Sequence, residues 1–280
     1  MTPSFADRLT AVFDGPGRLC VGIDPHSWLL SEWGLPDSAA GAREFGLRVV
    51  DAVDGAAGIV KPQVAFFERF GSAGYAALED VIRQARDRGL LVIADAKRGD
   101  VGSSVDAYAD AWLGAGSPLE SDAVTLNPFQ GVGSLSGPLA IADRNGKGVF
   151  VLAATSNPEG IAHQQAKLAS GSTLARSILD DVTSWNEAHG TGTLGSAGVV
   201  IGATLDLTGF EFGGARNPAP PVLAPGFGHQ GASISDLHAI YGPLAPGVLV
   251  SESRALLSAG PDGIRQAVVN RAEEVRLVSV

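Results

Sequence analysis

Eight short apolar runs recur along this 280-residue chain, with helical patterns between them, and that alternation constrains the fold more than any other feature. The runs are Leu19 to Ile23, Gly58 to Lys61, Leu90 to Ala94, Ala123 to Leu126, Val149 to Ala153, Val199 to Ile201, Pro221 to Leu223 and Val248 to Val250. Most are apolar at every position, as strands buried on both faces should be, which predicts a parallel sheet covered by helices. Between the second and third runs, Tyr75, Leu78, Ile82 and Ala85 keep helical spacing, and Arg86 to Gly89 supply a charged last turn and a C-cap. Ile264, Ala267, Val268 and Val275, begun by Pro261 and Asp262, predict a closing helix. Eight such units in one chain predict an α/β fold, a (β/α)8 TIM barrel forming a single domain over residues 1–280, with its active site at the C-terminal strand ends. Long connections are expected near 27–41, 163–172 and 205–219, where lids or binding loops tend to lie.

Composition removes several function classes. Hydrophobic residues make up 45% and charged residues 18%, so the chain can bury a core and lacks the signature of disorder. A formal charge of -10 argues against nucleic acid or an anionic membrane surface as partner, although a small anionic substrate needs only a few local cations. Cys20 is the sole cysteine and the five histidines do not cluster, so neither a disulfide framework nor a zinc site is expected. Met1 to Val12 has no apolar signal-type region, and no stretch reaches 18 apolar residues. These features point to a cytoplasmic protein.

The densest polar signal is Asp95, Lys97 and Asp100 at the end of the third run. Strand alternation sends Asp95 and Lys97 to one side while Ala96 points away, which holds a carboxylate beside an ammonium at the barrel mouth. Lys61 ends the second run and Asp24 follows the first, so four charged groups crowd three successive strand ends. A second signal follows the seventh and eighth runs, in Pro225-Gly226-Phe227-Gly228-His229-Gln230-Gly231 and Ser251-Glu252-Ser253-Arg254. Glycines there let backbone N–H groups approach an anion, and Arg254 offers a fork matched to phosphate oxygens. Thr155, Ser156 and Asn157 after the fifth run can hydrogen-bond a polar ring or form an ordinary turn. His229 reads as a solvent-facing loop residue, and Cys20 as core.

Asp95-x-Lys97-x-x-Asp100 with Lys61 before it, and Pro225-Gly226-x-Gly228-x-Gln230-Gly231 with Arg254 after it, resemble the orotidine 5′-phosphate decarboxylase family, in its longer bacterial branch. The resemblance implies cofactor-independent conversion of orotidine 5′-monophosphate to uridine 5′-monophosphate and CO2, the last step of de novo pyrimidine nucleotide synthesis. It implies that Lys97 donates a proton to C6, that Asp95 sits beside the departing CO2, and that Lys61 links Asp95 to the ribose, which Asp24 also holds. Ser156 would read the pyrimidine edge, and Gln230, Arg254 and the backbone at Gly226 and Gly228 would grip the phosphate. Asp100 and Ser104 would reach the neighbouring subunit's site, implying a homodimer; the family has Thr where this chain has Ser104, which leaves that contact the least matched.

Three other readings remain open at this stage. Magnesium-dependent sugar-phosphate enzymes, such as 3-keto-L-gulonate 6-phosphate decarboxylase or hexulose-phosphate synthase, share Asp-x-Lys-x-x-Asp but place a glutamate ligand where Lys61 stands, and a cation there repels Mg²⁺. Gly226, Gly228 and Gly231 also spell G-x-G-x-x-G with Glu252 about 20 residues on, the pattern of a dinucleotide site. A non-catalytic phosphate-binding barrel is the third, and neither of the last two gives Lys97 a necessary role.

Overall fold

A computed structural model of the chain describes residues 3–190 and 192–279. Met1, Thr2, Thr191 and Val280 lie outside the described residues, and with them the extreme ends of the 1–280 span and of the Met1 to Val12 reading. Eight strands form a closed barrel in chain order: β1 (Leu19–Ile23), β2 (Ile59–Pro62), β3 (Leu91–Arg98), β4 (Ala123–Leu126), β5 (Gly148–Ala154), β6 (Ala197–Ile201), β7 (Val222–Pro225) and β8 (Val248–Glu252). Every neighbouring pair is parallel, including β8 with β1. The (β/α)8 barrel expected from the alternating runs is therefore what forms.

Alternation along the strands sorts two cores. Val21, Val60, Val92, Val124, Val151, Val199, Val222 and Val250 face the surrounding helices. Cys20, Ile59, Leu91, Ile93, Ala123, Phe150, Val200, Leu223 and Leu249 pack with one another in the second core. Because side chains two apart share a face, the next positions beyond this second set are Lys61, Asp95, Thr125 and Ser251. The barrel lumen is thus apolar up to its last layer, where it becomes charged, and this is the end at which such barrels carry their sites.

Three local features depart from the sequence reading. The helix Phe5–Asp14 was not anticipated; Ser4 caps it in a reciprocal box with Asp7, and fully buried Phe5 and Leu9 plug the lower barrel mouth. Its Arg8 pairs with Asp122, whose other oxygen accepts the Val92 N–H. The connection at 27–41 contains a helix, Ser27–Glu32, with Leu29 and Leu30 buried. β3 runs beyond its apolar run through Arg98, but not as a regular strand: its pairing with β4 shifts register between Ala94 and Arg98. The 205–219 connection is anchored through buried Phe210 and Phe212 and an Arg216–Asp180 ion pair. Among the described residues no helix is long and apolar enough to cross a membrane.

Candidate active site

The charged layer is organised around Asp95. Its Oδ2 accepts from Lys61 Nζ and Gln63 Nε2, each at 3.0 Å, and its Oδ1 accepts from Lys97 Nζ at 2.6 Å and Thr125 Oγ1 at 3.0 Å. Asp95 and Lys61 are buried, whereas the Lys97 side chain is 43% exposed and so can turn toward a ligand. Burial alone would push Asp95 upward, but Lys61 and then Lys97 override it and hold the carboxyl far below its usual range. Burial likewise disfavours the Lys61 cation, and Asp95 with Asp24 more than offset it, raising the ammonium above its ordinary value. The site therefore keeps the Lys61 ammonium and the Asp95 carboxylate ionised together.

Lys97 occupies the left-handed region at φ 49°, a conformation that costs a non-glycine residue about 1–3 kcal/mol. The register shift on β3 accompanies it, and the kink brings two residues that a flat strand would space along one face into direct contact. Strain at a residue that also carries the most accessible charge marks a position the surrounding structure over-determines.

Asp24, directly after β1, shares a cavity of about 110 Å³ with Lys61, Gly226, Gln230, Ser253 and Arg254. Ser253 donates to Asp24 Oδ2, while Oδ1 is buried without a partner among the described residues. An acceptor left in that state costs about 1–3 kcal/mol, which a ligand hydroxyl would relieve. Arg254 makes no ion pair among the described residues and stands opposite the glycine loop in this cavity. The two sequence signals, one on the early strands and one on the late strands, thus meet in one cleft.

Glycine is required at 226 and 228, with φ of 117° and 67°. A Cβ on Gly228 would lie 2.9 Å from Glu252 Oε2, so the loop rests directly on that carboxyl. Glu252 is 3% exposed and faces Arg271 at 3.2 Å; burial pushes its pKa up, and Arg271 only partly opposes this. Such a carboxyl is not presented to a ribose. The glycine triplet leads into a three-residue 3-10 turn, Gly228–Gln230, and not the helix a dinucleotide site needs.

The remaining residues singled out in the sequence lie farther out. Ser156 is exposed just beyond β5, next to Gly202, while its neighbour Thr155 is tied to Gln164. Asp100 accepts the Val101 N–H and is not brought onto its own chain's Lys97; Ser104 is exposed on the helix Gly102–Leu113. Exposed Val101, Tyr108 and Phe129 lie in the same segments or the following loop. His229 is exposed, and Cys20 is fully buried, its thiol pushed up to about 12 chiefly by burial. Sequence reading missed Gln63 and Thr125, both on Asp95, and placed Ser253 in the anion-binding segment without its bond to Asp24. Alternation carried one step further along β2 and β4 would have pointed to the first two.

Residues 17–247 match the family described as Orotidine 5′-phosphate decarboxylase / HUMPS family. The chain is 51% identical over 259 residues to a curated orotidine 5′-phosphate decarboxylase of Salinispora tropica, covering 92% of this chain and 91% of that protein. A second, from Corynebacterium efficiens, is 46% identical over 281 residues and covers 98% of each. Among solved structures, one from Streptomyces avermitilis assigned the same activity has TM-score 0.93 and 44% identity over 99% of this chain and 96% of that chain. The Leishmania donovani OMP decarboxylase follows at TM-score 0.79 and 30% identity over 99% of both chains.

Proposed function

Since the chain belongs to the orotidine 5′-phosphate decarboxylase / HUMPS family, we propose that the Lys61–Asp95–Lys97 array is the apparatus with which it converts orotidine 5′-monophosphate to uridine 5′-monophosphate and CO2. The reaction is that of pyrimidine nucleotide synthesis. One observation carries the assignment of residues: the ammonium of Lys97, exposed and held 2.6 Å from Asp95, stands on the same rim as the cavity that joins Asp24 and Lys61 to Gln230 and Arg254.

Loss of CO2 from C6 leaves an electron pair in the plane of the ring, without the delocalisation that cofactors give other decarboxylases. A fixed cation must answer it. The C6–carboxylate bond breaks, its electron pair stays on C6, and Lys97 Nζ delivers the proton that fills the new C–H bond; the neutral amine then regains a proton from solvent. Asp95 faces the substrate carboxylate and is relieved of that repulsion as CO2 leaves. Lys61 joins Asp95 to the ribose, and Asp24 Oδ1 accepts a ribose hydroxyl. Ser156 reads the pyrimidine edge. Gln230, Arg254 and the N–H groups around Gly226 and Gly228 take the phosphate, whose binding energy is spent on holding the base against Lys97.

The functional unit is a homodimer in which Asp100 and Ser104 enter the partner's site. Their outward placement supports this, as do the exposed Val101, Tyr108 and Phe129 beside them. Mixing inactive Lys97→Ala with inactive Asp100→Ala should then restore about a quarter of wild-type activity, because half the dimers are hybrid and each hybrid has one intact site. Failure to gain any activity on mixing would put Asp100 in its own protomer's site or outside catalysis. The single buried cysteine and the acidic surface fit a cytoplasmic enzyme acting without nucleic acid or membrane.

The direct test follows the ultraviolet absorbance of orotidine 5′-monophosphate with purified protein in EDTA. Wild type should consume the orotate signal without any metal or cofactor. Arg254→Ala or Gln230→Ala should raise KM and lower kcat together, each by about tenfold or more, since a charge-assisted hydrogen bond is worth about 1.5–3 kcal/mol. Unchanged kinetics in both would remove the phosphate assignment; activity seen only with added Mg²⁺ and a sugar phosphate would replace the substrate.

A further inference from the structure

Thr125 is fully buried on β4, in a run that otherwise reads as plain apolar strand. Its hydroxyl makes two bonds inside the charged layer. The Lys97 backbone N–H donates to Oγ1 at 2.9 Å, and Oγ1 lies 3.0 Å from Asp95 Oδ1. A hydroxyl has one proton, and an amide can only donate, so that proton must be directed at Asp95. The order Lys97 N–H to Thr125 O–H to Asp95 Oδ1 is therefore fixed in direction, and it terminates on a carboxylate that the lysines keep ionised.

The position of this hydroxyl matters because of what the backbone does beside it. Lys97 is in the left-handed region, and the β3–β4 register shifts around it. Along β3 the even residues bond toward β4, as where the Asp122 N–H donates to the Val92 carbonyl, and the odd ones toward β2, as where the Val64 N–H donates to the Asp95 carbonyl. At the kink the Lys97 N–H turns instead to the Thr125 side chain on β4, and backbone pairing with β4 resumes with the Asn127 N–H donating to the Arg98 carbonyl at 2.7 Å. One oxygen thus holds both the kink that aims Lys97 and the carboxylate oxygen on which its ammonium rests. When Lys97 turns to a substrate, Thr125 remains as donor to Asp95 Oδ1.

We propose that Thr125 is a positioning residue of the decarboxylation site, its hydroxyl setting where the Lys97 ammonium stands relative to Asp95. This rests on the reading that Lys97 and Asp95 carry the chemistry. Thr125→Val keeps the branched shape and removes the hydroxyl; Thr125→Ser keeps the hydroxyl and removes a methyl. With orotidine 5′-monophosphate as substrate, the valine variant should lose about 10–100-fold in kcat, the scale of a reacting group displaced by about 1 Å, with KM within about threefold. The serine variant should recover kcat to within about threefold of wild type. A structural role alone would change the melting temperature and leave kcat per folded molecule intact. Should the valine variant not fold, Thr125→Ala removes the same hydroxyl and is read on the same scale. A valine or alanine variant with wild-type kcat beside an inactive Lys97→Ala overturns the role of Thr125, as does a serine variant no better than valine. Activity persisting in Lys97→Ala would instead overturn the underlying assignment, whatever Thr125 does.

Discussion

Replacing Lys97 by alanine should lower kcat by about 10⁵–10⁷-fold while leaving the protein folded. Two effects add to that figure. A unit charge about 4 Å from the developing carbanion is worth about 4 kcal/mol at an effective dielectric of 20, roughly a thousandfold in rate. Loss of a positioned proton donor costs about a further 10²–10⁴. Stability should barely change, because the Lys97 side chain is 43% exposed and its removal leaves Asp95 still bonded to Lys61, Gln63 and Thr125. Substrate affinity should fall by less than about tenfold, since the phosphate contacts that supply most of the binding energy lie elsewhere. The check is kcat and KM from the absorbance assay beside a thermal melt. A variant that keeps more than about a hundredth of wild-type kcat would take Lys97 out of the chemical step.

The strands were legible because burial on both faces leaves an unbroken apolar run, and eight such runs leave a closed barrel as the economical solution. Legibility fails where that signal is interrupted. β3 continues through Arg98, and although alternation puts Asp95 and Lys97 on one side of it, nothing in the sequence announces the register shift or the left-handed backbone at Lys97. Thr125 failed in the opposite way: a β-branched residue inside Ala123–Leu126 satisfies the strand pattern, and nothing in composition separates a threonine packed for shape from one holding two site atoms. The helix Phe5–Asp14 carries both cues, the Ser4–Asp7 box and Phe5, Leu9, Val12 and Phe13 at helical spacing, but it precedes the first strand and so falls outside the strand–helix alternation. Glu252 could be read only as part of a glycine motif, because its partner Arg271 lies on the last helix, a contact no local pattern announces. Charged residues at strand ends were legible for a physical reason: solvated surface does not need four of them converging on one barrel mouth.

Replacing Asp95 by alanine should cost stability as well as activity, and a companion variant separates the two. The substitution leaves Lys61, 7% exposed, without its closest counter-ion. Breaking a buried pair in this way costs about 3–5 kcal/mol, which lowers the melting temperature by about 10 °C in a protein of this size. The pH dependence has a definite sign. The Asp95 pKa is held below the ordinary aspartate value of 3.8, so the ion pair contributes fully above pH 3.8 and is lost as pH falls from there through the depressed value. The gap between wild type and variant should therefore be at its full size near neutrality and shrink in acid. If the triad existed for stability, nothing could replace it; yet two well-packed apolar side chains of similar volume are commonly as stable as a buried ion pair. Lys61→Met combined with Asp95→Leu should regain most of the lost melting temperature, since the half-exposed Lys97 side chain can turn out into solvent. The double variant should still be without detectable turnover. A melting temperature for Asp95→Ala equal to wild type would mean that Lys61 is solvated or otherwise paired, and recovery of turnover in the double variant would mean that the charges are dispensable. Unpaired instability in the single variant with silent stability in the double would instead locate the reason for three adjacent charges in the reaction, where a carboxylate between two ammonium groups is useful only when a fourth charge arrives with the substrate.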